Sequence, residues 1–131
     1  MRILLLGGTG SIGRATAGAL LNAGHSVVAL VRGGASLPLG VETRMADVTQ
    51  EGAVASAIGA DRFDAIISCL ASRTGAPQDA WAIDHMANAR ALTAAKAANI
   101  PRFILLSAIC VQKPLLAFQH AKLAFETQLH A

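Results

Sequence analysis

Ile3-Leu4-Leu5-Leu6 runs straight into Gly7-Gly8-Thr9-Gly10-Ser11-Ile12-Gly13, and this passage decides how the whole chain is read. A strand-sized apolar run stops at a glycine cluster. A helical stretch, Ser11–Ala23, starts directly behind it and closes at Gly24, where a helix C-cap favours glycine. Gly7, Gly10 and Gly13 give the spacing GxxGxxG, a relative of GxGxxG. Such a loop needs glycine for a tight turn and for close backbone approach to a pyrophosphate, and the third glycine lets helix and strand pack closely. The helix start adds free N–H groups and a partial positive charge for the phosphates. Gly7, Thr9, Gly10, Ser11, Ile12 and Gly13 are therefore the candidate phosphate-binding residues. Ordinary turns use the same residues, so the weight rests on the order strand, loop, helix, strand within about thirty residues.

Outward from the loop, short apolar runs alternate with helical stretches. Ser26–Val31 is a second strand, Val41–Ala46 a short third, Asp64–Ser68 a fourth and Phe103–Ser107 a fifth. Helices are predicted over Gln50–Gly59, over Gln78–Asn99 and over Leu115–His130, with Asn99 and Pro101 ending the second and Pro114 at the mouth of the third. Strands alternating with helices form right-handed βαβ units. The runs at 3–6, 27–31 and 103–106 are continuously apolar, which predicts strands covered on both faces. The expected fold class is α/β, a Rossmann-like doubly wound parallel sheet of about five strands with helices on both faces.

The chain has 131 residues, enough for one domain, and 53% of them are hydrophobic against 15% charged, which excludes disorder. Eleven basic residues outweigh eight acidic ones by three, but they are scattered singly, so no nucleic-acid partner is expected. No apolar run approaches the roughly 20 residues of a spanning helix. The glycines at 7, 8 and 10 end the first apolar run too early for a signal peptide, and no transit peptide is expected ahead of them. A cytoplasmic, bacterial location is the resulting expectation. Cys69 and Cys110 show neither CxxC spacing nor a disulfide framework and read as small buried hydrophobes. His25, His85 and His130 have no partners at metal-ligand spacing, His120 reads as a surface residue, and no metal is expected.

The second strand ends at Arg32, nineteen residues beyond Gly13. An acidic residue there would bind the ribose 2′-hydroxyl of NAD, whereas arginine suits a 2′-phosphate. Arg32, with Gly33 and Gly34 behind it, argues for NADP; its plain alternative is a solvated arginine. Asp47 is a candidate acceptor for the adenine amino group, and equally a loop-forming aspartate. Ligands of open α/β sheets lie at the carboxyl ends of strands, near the point where strand order reverses. Ser68, Cys69, Leu70 and Ala71 after the fourth strand would let ribose and nicotinamide approach the backbone, and Ser107 follows the fifth. Ser107 reads alternatively as a turn residue. On the last helix Leu115, Phe118, Ala121, Phe125 and Leu129 form the packing face. Lys122 borders that face, so its stem could lie along the core with the ammonium in the crevice, but on the residues alone a solvated lysine is the better reading.

The loop, Arg32, the serine after strand five and a lysine on the following helix together resemble the short-chain dehydrogenase/reductase superfamily, in its extended and NmrA-like branches. Two stretches, Ser68-CLASRTG-Ala76 with Asp79-AWAID-His85, and Ser107-AICVQKPLLAFQHAKLAFE-Thr127, are similar to the divinyl chlorophyllide 8-vinyl reductase family. That resemblance covers essentially the whole chain. It implies NADPH as cofactor, a small-molecule tetrapyrrole as substrate and reduction of its 8-vinyl group in chlorophyll or bacteriochlorophyll biosynthesis. The superfamily's Ser and YxxxK pattern maps onto Ser107, Phe118 and Lys122, making Ser107 and Lys122 the implied catalytic residues, with Lys122 also holding the nicotinamide ribose. Phenylalanine stands where the superfamily has its tyrosine, and the chain contains no tyrosine at all.

Phe118 cannot serve as a phenolic acid, which would be nearly disqualifying for carbonyl chemistry but not for reduction of a vinyl group. The same loss fits a non-catalytic NADP-binding redox sensor, also found in the NmrA-like branch. Sugar-nucleotide epimerases and dehydratases share the loop but normally keep the tyrosine. The resembling family continues well beyond residue 131. The expectation is therefore one nucleotide-binding domain over 1–131, incomplete at its C-terminus, lacking the substrate-binding region, binding NADPH weakly if at all and not turning over alone.

Overall fold

The computed structural model describes residues 1–33, 36–74, 76–108 and 112–131; Gly34 and Cys110, read above from sequence, lie outside the described residues. Five strands form one sheet: β1 (Arg2–Leu6), β2 (Ser26–Val31), β3 (Glu42–Met45), β4 (Ala65–Ser68) and β5 (Phe103–Leu105). All pairings are parallel and the order is β3-β2-β1-β4-β5. The chain builds outward from β1 to β3, then returns to the other side of β1 with β4. The reversal therefore lies between β1 and β4, and a crevice opens there beyond the strand ends.

The helices are α1 (Ser11–Asn22), α2 (Ala53–Ile58), α3 (Pro77–Ala80), α4 (Asn88–Ala97) and α5 (Ala117–His130), with a wider π-helical stretch, Trp81–Ala87, joining α3 to α4. Helix α1 ends as expected: Gly24 has φ +87°, open to glycine at no steric cost. Asn99 adopts φ 56° after α4, a conformation asparagine tolerates better than most residues. Alternate residues of β1 supply two cores, as strand geometry requires. Leu4 and Leu6 join Val28, Leu30 and Ile66 against α2 and α4, whereas Leu5 joins Val27 and Ala29 beneath Ala17 of α1. Each fully buried leucine contributes about 1.5–3 kcal/mol through removal of apolar surface from water. Helix α5 docks on the same side as α4, and its fully buried Phe125 packs at 5.6 Å from the ring of Phe103.

Two expectations are corrected here. The fifth strand is not covered on both faces: Ile104 is 51% and Leu106 39% exposed. Ile104 pairs with Ile67 and so faces the α1 side of the sheet. Helix α1 packs on β1 and β2 and leaves this face of the edge strand open. Leu115 does not belong to the packing face of the last helix; it lies before Ala117 in non-helical backbone and is 89% exposed.

At the amino ends of the strands sits a charged clasp. Arg2 Nη2 donates to Asp61 Oδ2 at 2.7 Å and Arg44 Nη2 donates to the same oxygen at 2.6 Å. Both guanidinium groups also lie over the ring of Phe63, at 5.2 and 5.7 Å. The hydrogen bonds from Arg2 and Arg44 hold the Asp61 carboxyl well below the usual carboxylate range. A depressed folded-state value means that the clasp stabilises the fold above the unfolded aspartate value, about 3.9, and loses its contribution as pH falls through the lower folded value. Asp61→Asn is expected to lower the melting temperature at pH 7, with the gap from the parent chain narrowing below about pH 4. Thermal melts across pH 2.5–7 (chosen to bracket about 3.9) check this, and a gap independent of pH would refute it.

Candidate functional site

The crevice at the reversal holds a cleft of about 1030 Å³ at the carboxyl ends of β1, β2 and β4. Its floor is backbone held by glycine. A Cβ on Gly13 would lie 2.0 Å from the carbonyl oxygen of Gly7, far inside contact distance. Gly7 itself has φ +73°, and a Cβ there would meet the carbonyl group of Cys69 at 2.6 Å. The helix and two strand ends thus meet with no room for side chains. Gly10, in extended conformation, precedes α1 and no side chain caps the helix start. Its first N–H groups are left for an anion, which is the arrangement a dinucleotide pyrophosphate needs.

Of the expected residues, Gly7, Thr9, Gly10, Arg32, Cys69, Leu70 and Ala71 line this cleft. Gly13 acts from below by permitting the close approach. Ser11 is exposed but lines no part of the cleft, and Ile12, 59% exposed, borders a neighbouring cavity instead. Ser68 is fully buried, and its hydroxyl donates to Asn88 Oδ1 at 2.5 Å, so its side chain is turned into the core rather than toward a ligand. Asp47 builds a loop: its Oδ1 accepts from the Thr49 N–H at 3.0 Å and from Thr49 Oγ1 at 2.6 Å. Those bonds, aided by the charge of Arg32, hold the Asp47 carboxyl below its usual range against the opposing effect of burial. Cys69 is half-buried at the cleft wall rather than sealed in the core. Arg14 also lines the cleft and escaped the sequence reading; its place one turn beyond Gly10 was the available signal.

A second cavity of about 510 Å³ adjoins the first, and residues 70–74 form a wall common to both. Ser107, Phe118 and Lys122 line it together. The expectation of a solvated lysine is corrected: Lys122 is 3% exposed. Its Nζ donates to Leu70 O at 2.6 Å and Leu106 O at 3.2 Å and lies 3.4 Å from Asp84 Oδ1. A buried ammonium must find such partners or lose its proton. Burial pushes the Lys122 amine below the usual lysine range, and Asp84 opposes that shift. Ser107 Oγ donates to Glu126 Oε1, which leaves the oxygen free to accept.

Asp84 and Asn88 were not singled out from sequence. Asn88 Nδ2 donates to Asp84 O at 3.1 Å, and the Leu70 N–H donates to Ser68 Oγ at 3.4 Å. With Lys122 these contacts close a ring, Lys122–Leu70–Ser68–Asn88–Asp84. The only signal was polarity on the inward face of a helix, which without the tertiary structure looks like a solvated face. Among the described residues no three His, Cys, Asp or Glu side chains come together as a metal site.

A parallel sheet with its strand order reversed over a glycine-floored cleft defines a nucleotide-binding domain of the doubly wound class. Residues 7–129 match the NAD(P)H-binding family, and the chain belongs to it. The chain is similar to the chloroplastic divinyl chlorophyllide a 8-vinyl-reductase of Zea mays, at 42% identity over 98% of this chain and 35% of that enzyme. The Arabidopsis thaliana enzyme of the same name is 38% identical over 98% of this chain and 34% of its own length. The chain thus spans about a third of these relatives. Its fold overlays a crystal structure of UDP-glucose 4-epimerase with TM-score 0.87 at 20% identity, covering 99% of this chain and 46% of that one.

The expected bacterial cytoplasmic location is overturned by these relatives, which are chloroplastic and point to a plastid. A compartment address is read outside the folded module, so neither the composition nor the glycine loop of the domain reports it. No helix among the described residues is long and apolar enough to cross a membrane.

Gly13→Ala is expected to abolish nicotinamide-dinucleotide binding, because the added carbon meets backbone that cannot move aside. Asn88→Ala leaves Ser68 Oγ without its buried acceptor and is expected to cost about 1–3 kcal/mol of stability. Fluorescence titration with cofactor reads the first and urea unfolding the second. Unchanged affinity or unchanged stability would contradict the respective geometry.

Proposed function

We propose that the chain is the cofactor-binding part of an NADPH-dependent oxidoreductase that reduces the 8-vinyl group of divinyl chlorophyllide or protochlorophyllide to ethyl. The 42% identity with the maize reductase along 98% of the chain carries this reading. The substrate-binding region then belongs to the two thirds of the relatives that this chain does not match, and the domain over 1–131 is incomplete without it. A bound nicotinamide would supply the hydride, and water or another group the proton that completes the ethyl side chain.

The residues divide the remaining tasks. The first N–H groups of α1 hold the pyrophosphate. Arg32, exposed at the cleft rim, takes the 2′-phosphate and selects NADPH over NADH. Asp47, between the cleft-lining Ala46 and Val48, is assigned to the adenine amino group. Lys122 holds the nicotinamide ribose and places a positive charge beside the second cavity, where Ser107 orients the reacting group with its accepting lone pairs. Phe118 supplies an apolar wall. Vinyl reduction has no carbonyl oxygen to protonate, so a phenol at 118 is dispensable.

Phe118 also favours a second reading, a non-catalytic NADP-binding redox sensor. A single absorbance assay separates the two: NADPH and divinyl chlorophyllide are mixed with the complete protein that carries this chain, and the Soret shift of the vinyl-to-ethyl change is followed. Turnover supports the reductase. Stoichiometric cofactor binding with no pigment consumed supports the sensor. Arg32→Ala is expected to weaken NADPH binding about tenfold or more while sparing NADH, the loss of one charge-assisted hydrogen bond. Lys122→Ala should impair both NADPH binding and turnover; if both survive intact, its assignment is wrong.

A further inference from the structure

Lys122 is held by more than its own helix, and the carboxylate that faces it from the opposing helix has no task in the reaction described so far. Asp84 is 1% exposed, sits in the π-helical stretch between α3 and α4, and places Oδ1 3.4 Å from Lys122 Nζ. That oxygen accepts no hydrogen bond of ordinary geometry from the described residues. The other oxygen accepts from the backbone N–H of Ser72 at 3.3 Å, in the wall common to both cavities. Isolated charges this deep are unfavourable, and a buried pair is often no better for stability than apolar residues of the same shape. Its position beside a cavity therefore calls for a role other than holding the fold together.

We infer that Asp84 is a positioning residue: it keeps the buried Lys122 ammonium charged and aimed at the junction of the two cavities, and through Ser72 it fixes the wall that divides them. The functional consequence rests on the reading of Lys122 as the group that holds the nicotinamide ribose. The geometry of the pair does not. As an ammonium Lys122 has three hydrogens, enough to donate to Leu70 O after β4 and Leu106 O after β5 with one left to face Asp84, whereas the neutral amine has only two. The titratable groups that face it are Asp84 from the π-helical stretch, Cys69 just after β4 and Glu126 from its own helix. Of these Asp84 alone forms a direct ion pair with it among the described residues. Removing that carboxylate leaves the desolvation of the ammonium opposed mainly by more distant groups.

The test uses the complete protein that carries this chain, with 13C-labelled lysine side chains and Lys122 assigned by comparison with Lys122→Arg. Asp84→Asn keeps the shape and removes the charge. It is expected to lower the titration midpoint of Lys122 by about one pH unit or more, and to move the alkaline limit of NADPH binding down with it. Asp84→Glu should restore both, whereas Asn88→Ala, which removes a neighbouring hydrogen bond but no charge, should leave the midpoint in place. A folded Asp84→Asn protein with an unmoved midpoint overturns the inference. If Asp84→Asn does not fold, Asp84→Ser, which also removes the charge, is read in the same way, and a Lys122 midpoint that stays at the parent value refutes the pair. A parent protein that never reduces divinyl chlorophyllide would sink the proposed reaction while leaving these titrations to decide the role of Asp84.

Discussion

A carbonyl oxygen occupies the space in which a side chain at position 13 would begin. That contact, Gly7 O against Gly13, lets α1 start directly off the end of β1. Gly7 is pinned in turn against the carbonyl of Cys69, which brings the end of β4 to the same point. The cleft exists because three backbone segments converge where no Cβ intervenes. The uncapped start of α1, the exposed rim at Arg32 and the wall beyond Cys69 all take their positions from it.

The far side of the site is built on the opposite principle. Around Lys122 the chain fills the interior with polar groups and satisfies them from one another, in a ring that passes through the end of β4 and two helical segments. Such networks are sensitive in a way that an apolar core is not, since a half-satisfied buried polar group costs more than an absent one. The glycine floor provides a shape that cannot be altered by a side chain. The ring provides a charge that can be altered by a proton.

How much of this could be read from the residues depended on the range of the interaction. The glycine loop, the strands at 3–6 and 26–31 and the turn at Gly24 are decided by neighbours along the chain, and they stand in the structure as the sequence predicts. Arg32 reaches the cleft for the same reason, because a strand end fixes it. Asp84 and Asn88 stayed hidden, as their polarity makes sense only once Lys122 arrives from a helix more than thirty residues later. Lys122 itself was misjudged without that carboxylate in view. Ser68 looked like a cofactor contact by its position at a strand end, yet its hydroxyl turns inward to an amide twenty residues on. Ile104 was misread because apolarity reports what a residue tolerates, not which face a helix of the chain happens to cover.

The clasp of Arg2, Asp61 and Arg44 and the nucleotide cleft lie at opposite ends of the same strands. Their separation has a consequence for how such a domain can change. Charges at the amino ends can be gained or lost, and with them tolerance of acid or salt, without any atom of the cleft being touched. Substitutions at the carboxyl ends can alter cofactor choice while the clasp continues to hold the strands in register. Robustness and specificity are thus open to independent adjustment, by natural variation or by the protein engineer, across the length of five residues of β1.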